Sequence, residues 1–339
     1  MRNAFLAAAV STLALNTAAY GDVPSVAVDI TPVHSLVARV MQGVGKPDLI
    51  IQPGAYPHGY SLRPAEAEAL QRADVVFWVG EELTPWLYRT IGALAGDARS
   101  EELIEVEGTT ELEFREGATF EAHSHDHDDH ADEHDHNHKG HAEKHDHDHE
   151  HDHDHEGHTD EHDDHGHDHH GHDPHAWLDP QNAAVWLDVI AADLSELDPE
   201  HAMAYAANAA EGKAELWTLL SEVDGELDRF RGTNFIVFHD AYQYFEHRFD
   251  VAATGAIRVG DASDPSPARV AEIRDKVAEL GIACVFAEPQ FNRGLIESVF
   301  QGTEAKVGVL DPLGSDLTPG PDLYPQLIRN LANNLTSCL

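Results

Sequence analysis

From His123 to His172 the chain holds 21 of its 27 histidines in an almost unbroken run of His, Asp and Glu, as in His145-Asp146-His147-Asp148-His149. Such a run has almost no apolar side chains to bury, so any core must be closed by the residues on either side of it. The same imidazoles and carboxylates can bind transition metals at neutral pH, which makes a metal cation the first ligand to consider. The segment is expected to be disordered without metal. It reads either as a collector of weakly held ions or as a solvated linker that binds metal incidentally. Because histidine must be neutral to ligate, capture there should weaken below the ordinary histidine value of about 6.5.

The formal charge of −41 does not come from this run alone, since 44 acidic residues face only 19 basic ones outside it. An acidic surface argues against nucleic acid or anionic lipid as a partner and again favours a cation. Residues 1–21 read as a secretory signal peptide: Arg2 supplies the positive start, Phe5 to Leu15 is mostly apolar, and Ala19-Tyr20-Gly21 offers small residues at the cleavage positions. No cysteine stands at that junction for lipid attachment. No later stretch approaches the roughly 18 apolar residues of a membrane span, so the exported product is expected to be soluble and not membrane-inserted; the signal places it in the periplasm, and it is read as a monomer. The two cysteines, Cys284 and Cys338, suit one disulfide between the last helix and a core strand after export, or else two buried thiols.

Excluding the signal and the run leaves about 265 residues, enough for two cores. In the first part, apolar β-type runs at Val26–Ile30, Leu49–Gln52, Val75–Val79 and Leu103–Val106 alternate with helical periodicity at His34–Met41, Pro64–Arg72 and Thr84–Leu94. That order predicts right-handed crossovers and a parallel sheet. Pro180–Leu194 reads as an amphipathic helix opened by Asp179-Pro180, and Pro199–Phe230 as a long helix interrupted by Gly212 and Gly225. Strands at Phe235–Phe238, Val251–Ala256, Ala283–Ala287 and Lys306–Leu310 then alternate with helices at Ala241–His247, Pro267–Leu280, Arg293–Phe300 and Tyr324–Ser337. The expected fold is α/β, with two four-strand parallel-sheet lobes joined by one long helix and a metal site in the cleft between them. The boundaries are an N-terminal lobe over 22–198 carrying the insertion 121–172, a linking helix over 199–231, and a C-terminal lobe over 232–339.

Six histidines stand outside the run. His201 and His247 lie within helical stretches beside polar residues, and His34 opens a helix, so ordinary structural duties account for them. His239 directly follows the apolar strand Phe235-Ile236-Val237-Phe238, placing it at the carboxyl end of a parallel strand, where open α/β sheets bind ligands. His58 falls in the loop after the second strand, and His175 stands between the insertion and a helix. Together these three have the right chemistry for one cation between two lobes.

Several separated strings add to this: Ser61-Leu62-Arg63-Pro64 after His58, His175-Ala176-Trp177-Leu178, Phe238-His239-Asp240-Ala241-Tyr242, Phe286-Ala287-Glu288-Pro289-Gln290-Phe291 and Leu310-Asp311-Pro312-Leu313-Gly314. In this order they closely resemble the ZnuA family of periplasmic zinc-uptake binding proteins, over nearly the whole mature chain. The resemblance implies the zinc-binding component of an ABC importer, with His58, His175 and His239 as metal ligands and a Cys284–Cys338 disulfide. Pro57 stands where some relatives carry a glutamate able to ligate, so that position supplies no side-chain donor here. Three imidazoles leave tetrahedral zinc one open position, to be filled by water, the favoured reading, or by Asp311. Glu288 and Asp240 are positioned either to orient an imidazole or to serve ordinary turn hydrogen bonds. A nitrogen-rich site suits zinc, copper or nickel better than manganese or calcium.

The implied partners are a membrane permease and a separate ATPase, because this chain has no Gly-x-x-x-x-Gly-Lys-Ser/Thr phosphate loop. The expected load is one tightly held Zn(II) in the cleft and several weak ions in the His-rich segment. Three histidines plus water is also a catalytic zinc arrangement, but the chain lacks His-Glu-x-x-His and Gly-x-Ser-x-Gly, so an enzyme is not expected. A zinc chaperone or buffer of the periplasm stays open as an alternative, and a surface adhesin is disfavoured by the missing lipid-attachment cysteine.

Overall fold

The computed structural model describes residues 23–115, 120, 171–258, 266–291, 300 and 303–339. The signal peptide, all of the 121–172 insertion except Gly171 and His172, and the helix expected at Arg293–Phe300, apart from Phe300, lie outside the described residues.

In the first lobe, β1 (Val26–Val28), α1 (Thr31–Val40), β2 (Asp48–Leu49), α2 (Pro64–Gln71), β3 (Val75–Trp78), α3 (Pro85–Leu94) and β4 (Arg99–Glu102) form a parallel sheet in the order β2-β1-β3-β4. The helices α4 (Pro180–Leu197) and α5 (Ala202–Leu227) follow. In the second lobe, β5 (Phe235–His239), α6 (Gln243–Phe249), β6 (Gly255–Arg258), α7 (Pro267–Leu280), β7 (Cys284–Ala287) and β8 (Lys306–Val309) form a second parallel sheet in the order β6-β5-β7-β8. The helix α8 (Leu323–Cys338) packs beside it. The strands β1, β3, β5, β6 and β7 are buried at every position, as parallel strands covered by helices on both faces must be. Helices α2, α3, α4 and α7 each begin on a proline, whose fixed φ suits a first turn and whose missing N–H had no partner there anyway.

The long helix α5 runs unbroken through Gly212 and Gly225 for 26 residues, about 39 Å at the usual 1.5 Å rise. Gly212 is needed for packing rather than for a break. A Cβ there would lie 3.0 Å from Leu187 Cδ1 and 3.2 Å from Arg39 Cγ, so its absence lets α5 settle against α4 and α1. One continuous apolar core passes from the first lobe through this layer into the second, including Val37, Leu187, Leu219, Val223, Leu327 and Leu331. A smaller core of Ile236, Ile257, Ile273, Val277 and Val285 belongs to the second lobe alone.

Polar contacts add to the apolar seam between the lobes. Trp177 Nε1 donates to Pro312 O at 2.8 Å, and Tyr324 Oη donates to Trp177 O at 2.7 Å. Arg248 on α6 makes a two-pronged pair with Asp179, the N-cap of α4, at 2.7 and 2.6 Å.

Several expected elements shift: α1 is Thr31–Val40 rather than His34–Met41, β2 is Asp48–Leu49 rather than Leu49–Gln52, and three more differ for a clear physical reason. The fourth strand is the polar Arg99–Glu102, and the apolar Leu103–Glu105 forms a 3-10 turn that buries Leu103 and Ile104 beneath the sheet edge. An edge strand needs less apolar content, so burial potential pointed to its neighbour. The strand expected at Val251–Ala256 is Gly255–Arg258, since Val251 and Ala253 are buried in the approach to it. Helix α6 begins at Gln243, because Ala241 and Tyr242 make the turn that follows His239. The two cysteines are paired as a Cys284–Cys338 disulfide with Cα atoms 5.9 Å apart, tying α8 to the start of β7.

Candidate metal centre

Three different local structures deliver the three histidines to one cavity. His58 sits in the 3-10 turn Pro57–Gly59 between β2 and α2. His175 immediately precedes the 3-10 turn Ala176–Leu178, which leads into α4. His239 is the last residue of β5, at the carboxyl end of its sheet. The cavity they line measures about 20 Å³, room for an ion with a water.

His175 and His239 are buried and meet directly, with Nε2 atoms 3.2 Å apart. Each has its other nitrogen against a buried carboxylate: His175 Nδ1 lies 2.6 Å from Asp173 Oδ1, and His239 Nδ1 lies 2.7 Å from Glu288 Oε1. A carboxylate can only accept, so these contacts place the imidazole proton on Nδ1 in both rings. Both Nε2 atoms then present lone pairs to each other, an arrangement that calls for a positive charge between them. Two nitrogens bound at about 2.0–2.1 Å to one tetrahedral zinc lie about 3.3 Å apart, close to the spacing seen.

His58 is half-buried at the mouth, with its ring centroid 5.9 Å from that of His175. The three imidazoles line one cavity but are not drawn into a closed donor set. Among the described residues no group of three or more His, Cys, Asp or Glu side chains is gathered tightly enough to hold an ion. Beside His58, Tyr56 from the first lobe meets Phe291 from the second edge-on at 5.5 Å, and Phe291 also touches His239. Aromatic rings from both lobes thus flank the imidazoles.

The other histidines are elsewhere. His34 is buried in α1 with Nε2 near Pro47 O, His201 pairs with Asp198 at 2.7 Å, and His247 is exposed on α6. Of the two acids flagged as possible orienting groups, Glu288 holds His239, whereas Asp240 turns away to form a two-pronged pair with Arg115. Arg115 also binds Glu246 at 2.6 Å. Burial opposes the Arg115 charge, but Glu246 and Asp240 outweigh it and hold the guanidinium above its ordinary value. Burial raises the Asp240 and Glu246 carboxyls despite that pairing.

Asp311 is engaged in its own turn. Its Oδ1 accepts from Leu313 N at 3.0 Å and Gly314 N at 3.1 Å, and its Oδ2 from Ser315 N at 2.6 Å. Gly314 permits this turn with a left-handed φ of 67°. The residue that sequence reasoning missed is Asp173. Its signal was the Asp173-Pro174-His175 spacing, hidden at the end of a tract full of aspartates.

Two four-strand parallel lobes, a helical layer shared between them and a small, mainly apolar cavity that brings three imidazoles together at strand ends define a two-lobed solute-binding protein. Over residues 26–338 the chain matches the family described as zinc-uptake complex component A, periplasmic. It is 47% identical to the high-affinity zinc uptake system protein ZnuA of Brucella abortus over 339 residues, covering 100% of this chain and 98% of the relative. Against the protein of the same description from Paracoccus denitrificans it is 43% identical over 335 residues, 98% of this chain and 97% of the relative. The chain therefore belongs to the ZnuA zinc-uptake family. Among solved structures, a crystal structure of ZnuA superposes with a TM-score of 0.69 at 23% identity, covering 92% of this chain and 98% of that one. The laminin-binding adhesin Lmb of Streptococcus agalactiae, in a mutant form, superposes with a TM-score of 0.68 at 23% identity, covering 93% and 99%. At that identity these two likenesses concern the fold alone.

Proposed function

We propose that this protein captures Zn(II) in the periplasm with His58, His175 and His239 and delivers it to the permease of an ABC importer whose ATPase is a separate polypeptide. The observation that carries the reading is the His175–His239 pair, with Nε2 atoms 3.2 Å apart and both outer nitrogens held by carboxylates. Two neutral imidazoles so arranged offer two nitrogen donors to one cation, with the carboxylates of Asp173 and Glu288 balancing its charge. His58 is the third donor, and zinc draws its ring inward from the mouth. Nitrogen donors favour zinc over manganese and calcium, and selection against copper falls to geometry and supply. The His-rich segment, by composition, adds several weak sites that raise the local zinc concentration.

Zinc titration by calorimetry tests this on the intact chain, on a deletion of residues 123–172, and on His58→Ala, His175→Ala and His239→Ala. One tight site is expected to survive the deletion and to be lost in each alanine variant, while the weak sites vanish with the deletion. A tight site that persists in His175→Ala or His239→Ala overturns the assignment. Loss of zinc-limited growth on gene deletion, restored by excess zinc, separates import from buffering.

A further inference from the structure

Gln290 stands in the turn after β7, two residues beyond Glu288, and lines the same cavity as the three imidazoles. Its side-chain nitrogen donates to Asp311 Oδ1 at 3.1 Å and to Ser315 Oγ at 2.9 Å. A carboxylate can only accept, so these contacts fix which end of the amide faces the turn. The opposite end, Gln290 Oε1, is buried and has no hydrogen-bond partner among the described residues. Buried polar atoms are almost always paired, and an exception beside a candidate ion site calls for an explanation.

We propose that Gln290 Oε1 accepts a hydrogen bond from a water molecule bound to the zinc ion, so that Gln290 positions the fourth ligand of a three-imidazole site. The inference rests on the metal site proposed above. An amide carbonyl is a hard oxygen donor better matched to magnesium, calcium or manganese than to zinc, so direct ligation is the weaker use of this atom. A water on zinc is strongly polarised and donates well, and a neutral acceptor with one fixed orientation is the complement it needs. Asp311 then acts on the metal through Gln290. It anchors the amide nitrogen while three backbone N–H groups anchor Asp311 itself. Asp311, Gln290 and the bound water form one line of support running from the turn after β8 into the cleft.

The test uses the full chain, Zn(II) for affinity and Co(II) as a spectroscopic substitute, with Gln290→Met, which keeps length and loses the acceptor, and Gln290→Glu, which keeps an acceptor oxygen. Gln290→Met is expected to hold one ion in the cleft but about 10-fold more weakly, with altered Co(II) visible bands and a shifted pH for ionisation of the Co(II)-bound water. Gln290→Glu sets a carboxylate against Asp311 Oδ1 and loses the anchoring donor, so it too is expected to alter the Co(II) spectrum. Unchanged affinity and spectrum in Gln290→Met overturn the proposal. X-ray absorption of the wild-type zinc form supplies a measurement independent of any variant's folding. Three nitrogen donors and one oxygen are expected, and a site without an oxygen donor overturns the proposal. His239→Ala is the control. Should it bind Zn(II) like the wild type, the metal-site reading falls and this inference with it, whereas loss in His239→Ala with no change in Gln290→Met defeats this inference alone.

Discussion

The indole of Trp177, two residues after His175, donates to the carbonyl of Pro312, the residue after Asp311, at 2.8 Å. The segment of the first lobe that carries His175 is thereby fastened to the final turn of the second. With the Arg248–Asp179 pair and the continuous core around α5, this leaves little freedom for the lobes to swing. The interlobe angle is expected to be nearly the same in zinc-free and zinc-loaded protein, with changes confined to the His58 turn. Solution scattering or paired crystal structures check this, and wide hinge closure would contradict it. Trp177→Phe, which strands the buried Pro312 carbonyl, is expected to lower unfolding free energy by about 1–3 kcal/mol in urea.

Asp173 and Glu288 orient the two buried imidazoles from behind. Replacing either with alanine frees a ring to rotate and removes a negative charge from the ion's surroundings. Zinc affinity is expected to fall about 10- to 100-fold in Asp173→Ala and in Glu288→Ala, with the number of tightly bound ions unchanged. Competition titration against a chromogenic chelator measures it. Asp240→Asn, altering an acid that faces Arg115 instead, is expected to have a smaller effect on affinity.

The Cys284–Cys338 disulfide closes a 54-residue separation, a loop for which the entropy of the unfolded chain predicts about 4 kcal/mol of stabilisation. Cys284 begins β7, whereas Glu288 follows its far end, so the bridge is remote from the cleft. The double variant Cys284→Ala, Cys338→Ala should unfold at markedly lower urea concentration and yet bind zinc with wild-type affinity. A drop in affinity at native conditions would show that the bridge also shapes the site.

Asp29, which follows β1, is fully buried, with Oδ1 accepting from Ile30 N and Oδ2 from Val79 N. Burial pushes its carboxyl from 3.8 up to about 7, against the pull of those N–H groups. Between those values the folded state holds a proton that the unfolded chain has released. Stability therefore falls as pH rises through that window, by up to about 1.4 kcal/mol per unit from this group. Asp29→Asn, neutral throughout, should lack this slope. Urea unfolding of both proteins at about pH 5 and about pH 7 reads the difference directly.

Much of this arrangement was legible from residue order. The apolar strands ending at Trp78, His239 and Ala287 announce themselves because both faces of a parallel sheet are covered. A histidine at the end of such a strand is a ligand candidate on topology alone. Edge strands were harder: Arg99–Glu102 carries no apolar signal, and its burial is done by the turn that follows. The carboxylates behind the imidazoles divide the same way. Glu288 lies where a strand ends, whereas Asp173 is one aspartate among many until the fold brings it to His175. Arg115 borders the His-rich tract with no pattern of its own, and its role emerges only when Asp240 and Glu246 arrive from 125 and 131 residues away.

Glu113 and His172 face each other as an isolated antiparallel bridge, and Asp173 N donates to Leu112 O at 2.7 Å just beyond it. Whatever length of chain separates them starts and finishes at one spot on the finished scaffold. Closing a flexible loop grows only logarithmically more expensive, about 0.6 kcal/mol for each doubling. Evolution can thus lengthen, shorten or recompose the histidine tract almost at will, treating it as an adjustable accessory while the coordinates of His175 stay untouched.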